Sequence, residues 1–287
     1  MKSIAALAQR YPDKRVLITG ATSGLGEALA LRFAQAGFRV GIAGRNEDKI
    51  RRTVEQVEAA GGEALAVQLE ITRLEDFEAA VKQIQENWSG LDILVNNAGV
   101  ATAGKLSEFS LESWRDVIDT DLWSVIHGCR LFAPVLARSG GGHIVNVSSA
   151  AGLLCAPEMA GYNVAKAGVV ALSETLRVEL SGDNIDVSVC CPTIFKSGLL
   201  DDRAQGDESF SGVTADGLRD TMQKTRFTSD DIAADLLRVM SRRKLYCVTM
   251  PDARIMWRLT RYFPELYRSL VKQLYLRKMW IFNPDHH

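Results

Sequence analysis

The chain has 287 residues, and its 34 Lys and Arg against 35 Asp and Glu leave a net charge of −1, so nothing global points toward nucleic acid. No stretch approaches the roughly 18 uninterrupted apolar residues that a membrane-spanning helix needs. The length suits one large domain or two small ones, with a substantial core. Five cysteines (Cys129, Cys155, Cys190, Cys191, Cys247) lack metal spacing, and they fit the reduced thiols of a cytoplasmic protein. The apolar centre of the opening MKSIAALAQRYP is too short for a secretory signal.

In chain order, the apolar run Arg15–Thr19 leads into GATSGLG, and a helix is predicted from residue 25 to about 36, ending at Gly37. RVGIAGR (39–45) reads as a strand, followed by a charged amphipathic helix over 47–60 that stops at Gly61 and Gly62. ALAVQLE (64–70) is a third strand and Leu74–Trp88 a third helix; LDILVNNAG (91–99) is a strand running into a small-residue turn. A long helical pattern covers about 111–137, HIVNVSS (143–149) is the fifth strand, a helix carries Tyr162, and IDVSVCCP (185–192) is the sixth strand. This alternation predicts the α/β class, with a doubly wound parallel sheet in one domain over 1–250. Ligands in such sheets bind beyond the carboxyl ends of the strands.

Candidate functional residues fall at those ends. Gly20, Gly24 and Gly26, with Thr22, Ser23 and Leu25 between and beside them, form a loop between the first strand and first helix whose backbone amides could meet a pyrophosphate. A P-loop lysine is absent there. At the end of the second strand Gly44 and Arg45 stand where a ribose-binding carboxylate would select NAD; the guanidinium suits a 2′-phosphate and favours NADP(H), the alternative being a surface arginine. Tyr162 and Lys166 are four apart, hence on one helix face, where the ammonium should draw the phenol's pKa down and make it a general acid/base. Ser149, at the end of the fifth strand, would face them. Alone, each signal is weak.

Together these residues resemble the short-chain dehydrogenase/reductase family over roughly residues 13–250, through T-G-A-T-S-G-L-G (19–26), N-N-A-G (96–99), Ser149, Y-N-V-A-K (162–166) and P-T-I-F-K-S (192–197) in the family's order and spacing. The resemblance implies a single-domain Rossmann-like fold, a homodimer or homotetramer, and hydride exchange between a nicotinamide and a carbonyl or alcohol. It makes Tyr162 the acid/base, lets Ser149 position the substrate oxygen beside Ser148, and gives Lys166 the tyrosine and the nicotinamide ribose. It places Glu70 and Ile71 near the adenine, has Asn96 support the sheet, and passes the cofactor along Asn97, Ala98 and Gly99, with Pro192, Ile194 and Ser197 on the nicotinamide side. Departures are Asp121 where the family often has Asn, Glu70 for Asp, Thr193 for Gly and Ser197 for Thr. Asp121 could bind the relay water or the lysine, but its charge changes the local pKa balance.

The pattern breaks over about 194–226, where the resemblance implies a substrate lid, with Leu199, Leu200, Phe210, Val213, Leu218 and Met222 its apolar residues. Leu153, Leu154, Pro157 and Met159 would line an apolar pocket beside Ser149 and Tyr162, which suits a lipophilic substrate. Between residues 238 and 280 eleven Lys and Arg face only Asp252 and Glu265, with Trp257, Tyr262, Phe263, Tyr267, Tyr275 and Trp280 interleaved. The extension 251–287 is expected to be helical and to pack on the core, a sister subunit or the substrate pocket; peripheral contact with an anionic membrane is the alternative. His127 and His143 read as structural; His286 and His287 are assigned no role. The leading reading is an NADP(H)-dependent oxidoreductase. Its rivals are a non-catalytic NADP(H)-binding regulator or scaffold and a membrane-attached lipid-modifying reductase.

Overall fold

The structure, a computed structural model, describes residues 2–197 and 212–279. Its centre is a seven-stranded parallel sheet in the order β3-β2-β1-β4-β5-β6-β7. The strands are β1 (Arg15–Thr19), β2 (Arg39–Gly44), β3 (Glu63–Gln68), β4 (Ile93–Asn96), β5 (Gly142–Val147), β6 (Ile185–Cys191) and β7 (Tyr246–Val248). β1, β4, β5 and β6 are buried along their whole length, as strands covered on both faces must be, so their sequences are apolar runs rather than alternations.

Helices α2 (Gly24–Gln35), α3 (Glu47–Ala59) and α10 (Ser229–Ser241) pack together, with α1 (Lys2–Arg10) against α10. A second layer holds α4 (Leu74–Trp88), α6 (Ser124–Arg138) and α8 (Ala160–Glu179). Leu29, Phe33, Phe77, Ile84 and Phe132 are the large side chains these layers bury. The order reverses between β1 and β4, so the crevice at their carboxyl ends is the topological switch point.

The helix expected over 111–137 is three pieces: α5 (Leu111–Ile118), a π-helical turn (Asp119–Trp123) and α6. A wide turn of this kind re-aims side chains, and here it brings Asp121 inward to full burial. α7 (Ala151–Leu154) follows β5, and α9 (Gly212–Lys224) lies inside the segment expected to be a lid. Of that lid, residues 198–211, with Leu199, Leu200 and Phe210, lie outside the described residues. So do Trp280, His286 and His287.

The last two helices are α11 (Pro251–Tyr262) and α12 (Pro264–Leu276), each opening on a proline at its first position, where a missing N–H costs nothing. Arg254 ties α11 to the end of β7, donating to the carbonyls of Val248 at 2.6 Å and Thr249 at 3.1 Å. Trp257 packs on the Tyr246 ring with centroids 4.6 Å apart. Among the described residues no helix is long and apolar enough to cross a membrane.

At the opposite end of the sheet from the crevice, Arg15 and Asp92 form a buried fork, Nη2 to Oδ1 at 2.9 Å and Nε to Oδ2 at 3.1 Å. Near it the ring of His143 is fully buried. Ser188 Oγ donates to the Lys244 carbonyl at 2.7 Å and therefore accepts from His143 Nε2–H at 2.9 Å, which fixes the neutral tautomer. Burial first, then Arg10, Arg177 and Arg243 against the opposing pull of Asp186, hold this imidazole down to about 3. An unfolded histidine titrates near 6.5. The ring's contribution to stability is thus complete above that pH and shrinks as the pH falls toward 3. Between pH 6.5 and 5 the loss is about 2 kcal/mol. Thermal melts of wild type and His143→Asn across that range should show the wild type losing the more; parallel curves would refute the assignment.

Candidate active site

The turn after β1 is built for close approach. Gly20 and Gly24 have φ of +62° and +55°, a region open to glycine at little cost. A Cβ on Gly26 would lie 2.2 Å from the Gly20 carbonyl oxygen and 2.7 Å from Asn97 Nδ2. Asn97 clamps the turn from β4, its Nδ2 donating to the carbonyls of Thr19 at 2.9 Å and Gly20 at 3.2 Å. Thr19 Oγ1 in return accepts from the amides of Asn97 at 2.9 Å and Ala98 at 3.1 Å. Ser23 is the N-cap of α2 and makes no side-chain cap bond, so the first-turn amides around Leu25 are not capped from within. The residues present fit a dinucleotide's diphosphate at this point.

Gly44, at the end of β2, packs against Thr22 of the turn; a Cβ there would sit 3.3 Å from the threonine methyl. Arg45 follows, exposed, its carbonyl accepting from Gln68 Nε2 at 2.8 Å. Beyond β3, Glu70 and Ile71 are half-buried, and Glu70 Oε1 accepts from the Thr72 amide at 3.4 Å and hydroxyl at 3.3 Å. On the other side of the crevice the Pro192 carbonyl accepts from Ala150 N at 2.8 Å. Ile194 and Ser197 are half-buried in the segment that leaves β6, where Thr193 contacts the Met250 sulfur.

Tyr162 and Lys166 lie in the first two turns of α8, both buried, with the Lys166 ammonium 5.6 Å from the Tyr162 ring centroid. Ser149 stands just past β5, where its Oγ accepts from Ala151 N at 3.1 Å. Ser148 has a structural part: its hydroxyl donates to the Lys166 carbonyl at 2.7 Å and ties the strand end to α8. Asp121 joins the group from the π-helical turn. Its Oδ2 lies 3.4 Å from Lys166 Nζ, and its Oδ1 accepts from the Val100 amide at 2.8 Å. Gly99 gives this pair its room, since a Cβ there would come within 2.7 Å of Asp121 Oδ1 and 3.1 Å of Lys166 Nζ.

The electrostatics correct one expectation. Burial pushes the Tyr162 phenol up; Lys166 pulls it down, Asp121 pushes it up again, a hydrogen bond from Ser149 lowers it, and the net direction is upward. The lysine's pull does not win, because an ionised phenol here would be stripped of water and faced by a carboxylate. For Lys166, burial favours the neutral amine, but Asp121 and Tyr162 outweigh it and the ammonium is held above its ordinary value. Cys191, also buried, is a further titratable group near the ammonium.

Met159 meets Tyr162 in a small buried cluster with Ala103, Val117 and Ala215 of α9. Leu153 packs instead toward the main core, and the Leu154 carbonyl accepts from Tyr267. Asn96, expected to support the sheet, heads a buried polar ladder under the site whose other members, Asn146 and Ser173, the sequence reading missed. Asn96 Nδ2 donates to Asn146 Oδ1 at 2.9 Å, and Asn146 Nδ2 to Ser173 Oγ at 3.0 Å. Gly128 makes space for it, since a Cβ there would strike Asn96 Oδ1 at 2.1 Å. The only signal available was two asparagines in otherwise apolar strands, where an amide must find partners.

With this geometry in hand, the family model for short chain dehydrogenases matches residues 14–208. A 3beta-hydroxysteroid dehydrogenase of Mediterraneibacter gnavus is 33% identical over 244 residues, 79% of this chain and 88% of that protein. The crystal structure of a short chain dehydrogenase/reductase from Burkholderia phymatum in complex with NAD superposes with a TM-score of 0.81 at 31% identity, covering 88% of this chain and 94% of that one. A short-chain dehydrogenase from Sphingobium yanoikuyae in complex with NADPH has a TM-score of 0.73 at 25% identity, covering 88% and 94%. Other curated relatives are longer: the chain spans 45% of their length.

Asp121→Asn removes the charge that opposes ionisation of Tyr162, so the phenol should titrate lower. Difference titration at 295 nm, each protein against its own Tyr162→Phe counterpart, checks this. An unmoved midpoint would show that the carboxylate does not act on the phenol, and a higher one that it acts chiefly by keeping the Lys166 ammonium charged.

Proposed function

The chain belongs to the short chain dehydrogenase family, and from that premise we propose that it is an NADP(H)-dependent oxidoreductase acting on a lipophilic carbonyl or alcohol. The observation that carries the reading is the convergence of Ser149, Tyr162, Lys166 and Asp121 at the carboxyl ends of the central strands, beside the turn over Gly20, Gly24 and Gly26. Thr22, Ser23, Leu25, Asn97, Ala98 and Gly99 would hold the diphosphate and the chain beyond it. Glu70 and Ile71 would flank the adenine, Lys166 the nicotinamide ribose, and Pro192, Ile194 and Ser197 the nicotinamide. A bound nicotinamide supplies or accepts the hydride. The exposed Arg45 supports a 2′-phosphate, because a guanidinium fork meets phosphate oxygens with two charge-assisted bonds.

Tyr162 would donate its proton to the carbonyl oxygen, with Ser149 giving that oxygen a second hydrogen bond. Burial pushes the phenol's pKa further above neutral, so the ring carries the proton that it would give to a carbonyl oxygen. Lys166 and Asp121 would steady the proton's source: the ammonium favours the phenolate left behind, and the carboxylate fixes the ammonium. Met159 and its apolar neighbours Val117 and Ala215 support a lipophilic substrate, and the steroid named for the Mediterraneibacter relative fits that class.

A second reading rests on the tail. At the corner between α11 and α12, Tyr262, Phe263 and Leu266 are 75%, 61% and 60% exposed. Seven Lys and Arg occupy residues 251–279 against two acids, and Arg258, Arg268 and Lys272 form no ion pair among the described residues. An apolar corner between cations suits the interface of an anionic bilayer.

Tyr162→Phe assayed with NADPH against a panel of lipophilic ketones should lose 10²- to 10⁴-fold in rate, roughly the contribution of a positioned acid. Equal rates would end the catalytic reading and leave a cofactor-binding regulator. In the same panel NADPH should serve better than NADH, and Arg45→Asp should reverse the order. For the tail, the full chain should float with phosphatidylserine-containing vesicles and fail to float with phosphatidylcholine alone, and Phe263→Asp should abolish flotation. Absence of flotation from both vesicles would remove the membrane reading.

A further inference from the structure

The segment between Ser149 and Tyr162 is held by a helix from the far end of the chain. Tyr267 OH donates to the Leu154 carbonyl at 2.6 Å, and Tyr275 OH donates to Glu158 Oε1 at 2.9 Å. The donors are eight residues apart on α12, two turns and about 12 Å along one face; the acceptors are four apart. Tyr267 is buried in the contact. Helix α12 therefore lies along residues 154–158 like a splint.

That segment is not stable by its own conformation. Cys155 and Glu158 have φ of +52° and +57°, a region costly for residues with a Cβ. Besides α12, two groups outside the segment hold it: Asn163 Nδ2 donates to the Ala156 carbonyl at 2.7 Å and Gly104 N to the Glu158 carbonyl at 2.6 Å. The next residue, Met159, is the N-cap of α8 and is buried beside Tyr162. Moving Glu158 thus moves Met159 and the entry to the helix that carries Tyr162. Extending past the family match that ends at residue 208, the tail reaches the wall of the site.

We propose that α12 is part of the substrate site's wall, and that the Tyr275–Glu158 hydrogen bond is a positioning contact that sets the width of the pocket through Met159. This rests on the oxidoreductase reading for its word "substrate", but the splint itself does not. Tyr275 touches neither substrate nor cofactor; it acts through Glu158. A pocket framed this way discriminates by size: a bulky ketone needs Met159 held back, whereas a small one fits either position.

The test uses the full chain and the variants Tyr275→Phe and Glu158→Met, each of which removes one side of the hydrogen bond, and their combination. Hydrogen exchange read at residues 154–159 should quicken about tenfold in Tyr275→Phe, the loss of one hydrogen bond to a carboxylate being worth about that factor, with the melting temperature unchanged. With NADPH, KM for a 3-oxosteroid should rise about tenfold in Tyr275→Phe while kcat, and both constants for cyclohexanone, stay within about twofold. The double variant should be no worse than Glu158→Met alone, since that change already removes the contact. Unchanged exchange overturns the splint, whether or not the protein turns over any ketone. Quickened exchange with unmoved KM for the steroid, or additive effects in the double variant, overturns its role in the pocket. If wild type reduces no ketone while exchange quickens as expected, the splint stands and the oxidoreductase reading alone has failed.

Discussion

The arrangement of the site turns on a missing side chain. At Gly99 the chain leaving β4 passes so close to Asp121 and Lys166 that any Cβ would push between them. The absence of that one carbon lets a carboxylate from the π-helical turn meet an ammonium from α8 at 3.4 Å in a place with almost no solvent. A buried pair of this sort does not stabilise much on balance, because desolvating both ions offsets their attraction, yet removing either partner strands the other. It therefore acts as a constraint on geometry. Three elements far apart in sequence must arrive together, and they bring Tyr162 with them.

Much of the architecture was legible because parallel strands covered on both faces have to be apolar throughout, and RVLIT, ILVN and HIVNV announce that in one dimension. Glycine positions spoke as clearly: Gly26 cannot carry a side chain against the Gly20 carbonyl. What stayed hidden had no one-dimensional trace. The widened turn at Asp119–Trp123 keeps the same helical periodicity on either side, so the sequence reads as one helix. β7 has three residues and gains its place only by pairing with β6. Tyr267 to Leu154 and Tyr275 to Glu158 span 113 and 117 residues, and a tyrosine's partner at that distance is set by topology alone.

The tyrosine's proton is where sequence logic went astray, and the reason is a competition of magnitudes. Spacing on a helix reports which charges are near, and a nearby ammonium does favour a phenolate. It says nothing about water. Burial acts on the same equilibrium with opposite sign, and Asp121 then takes up part of the ammonium's field. The ammonium is thus paired with a carboxylate while it faces a protonated phenol, and its net effect on the phenol is less than its charge suggests.

That balance links the two ends of the site. Tyr162 is buried in one cluster with Ala103, Val117, Met159 and Ala215, so the same apolar contacts that would receive a lipophilic group also raise the phenol's pKa. Met159 owes its place to Glu158, and Glu158 is held in part by Tyr275. Loosening α12 would let water reach the ring, lower the cost of charging it and widen the pocket in one movement. If α12 frames the pocket as proposed, substrate shape and proton affinity would be two readings of a single packing arrangement, maintained from a helix more than a hundred residues downstream of the tyrosine.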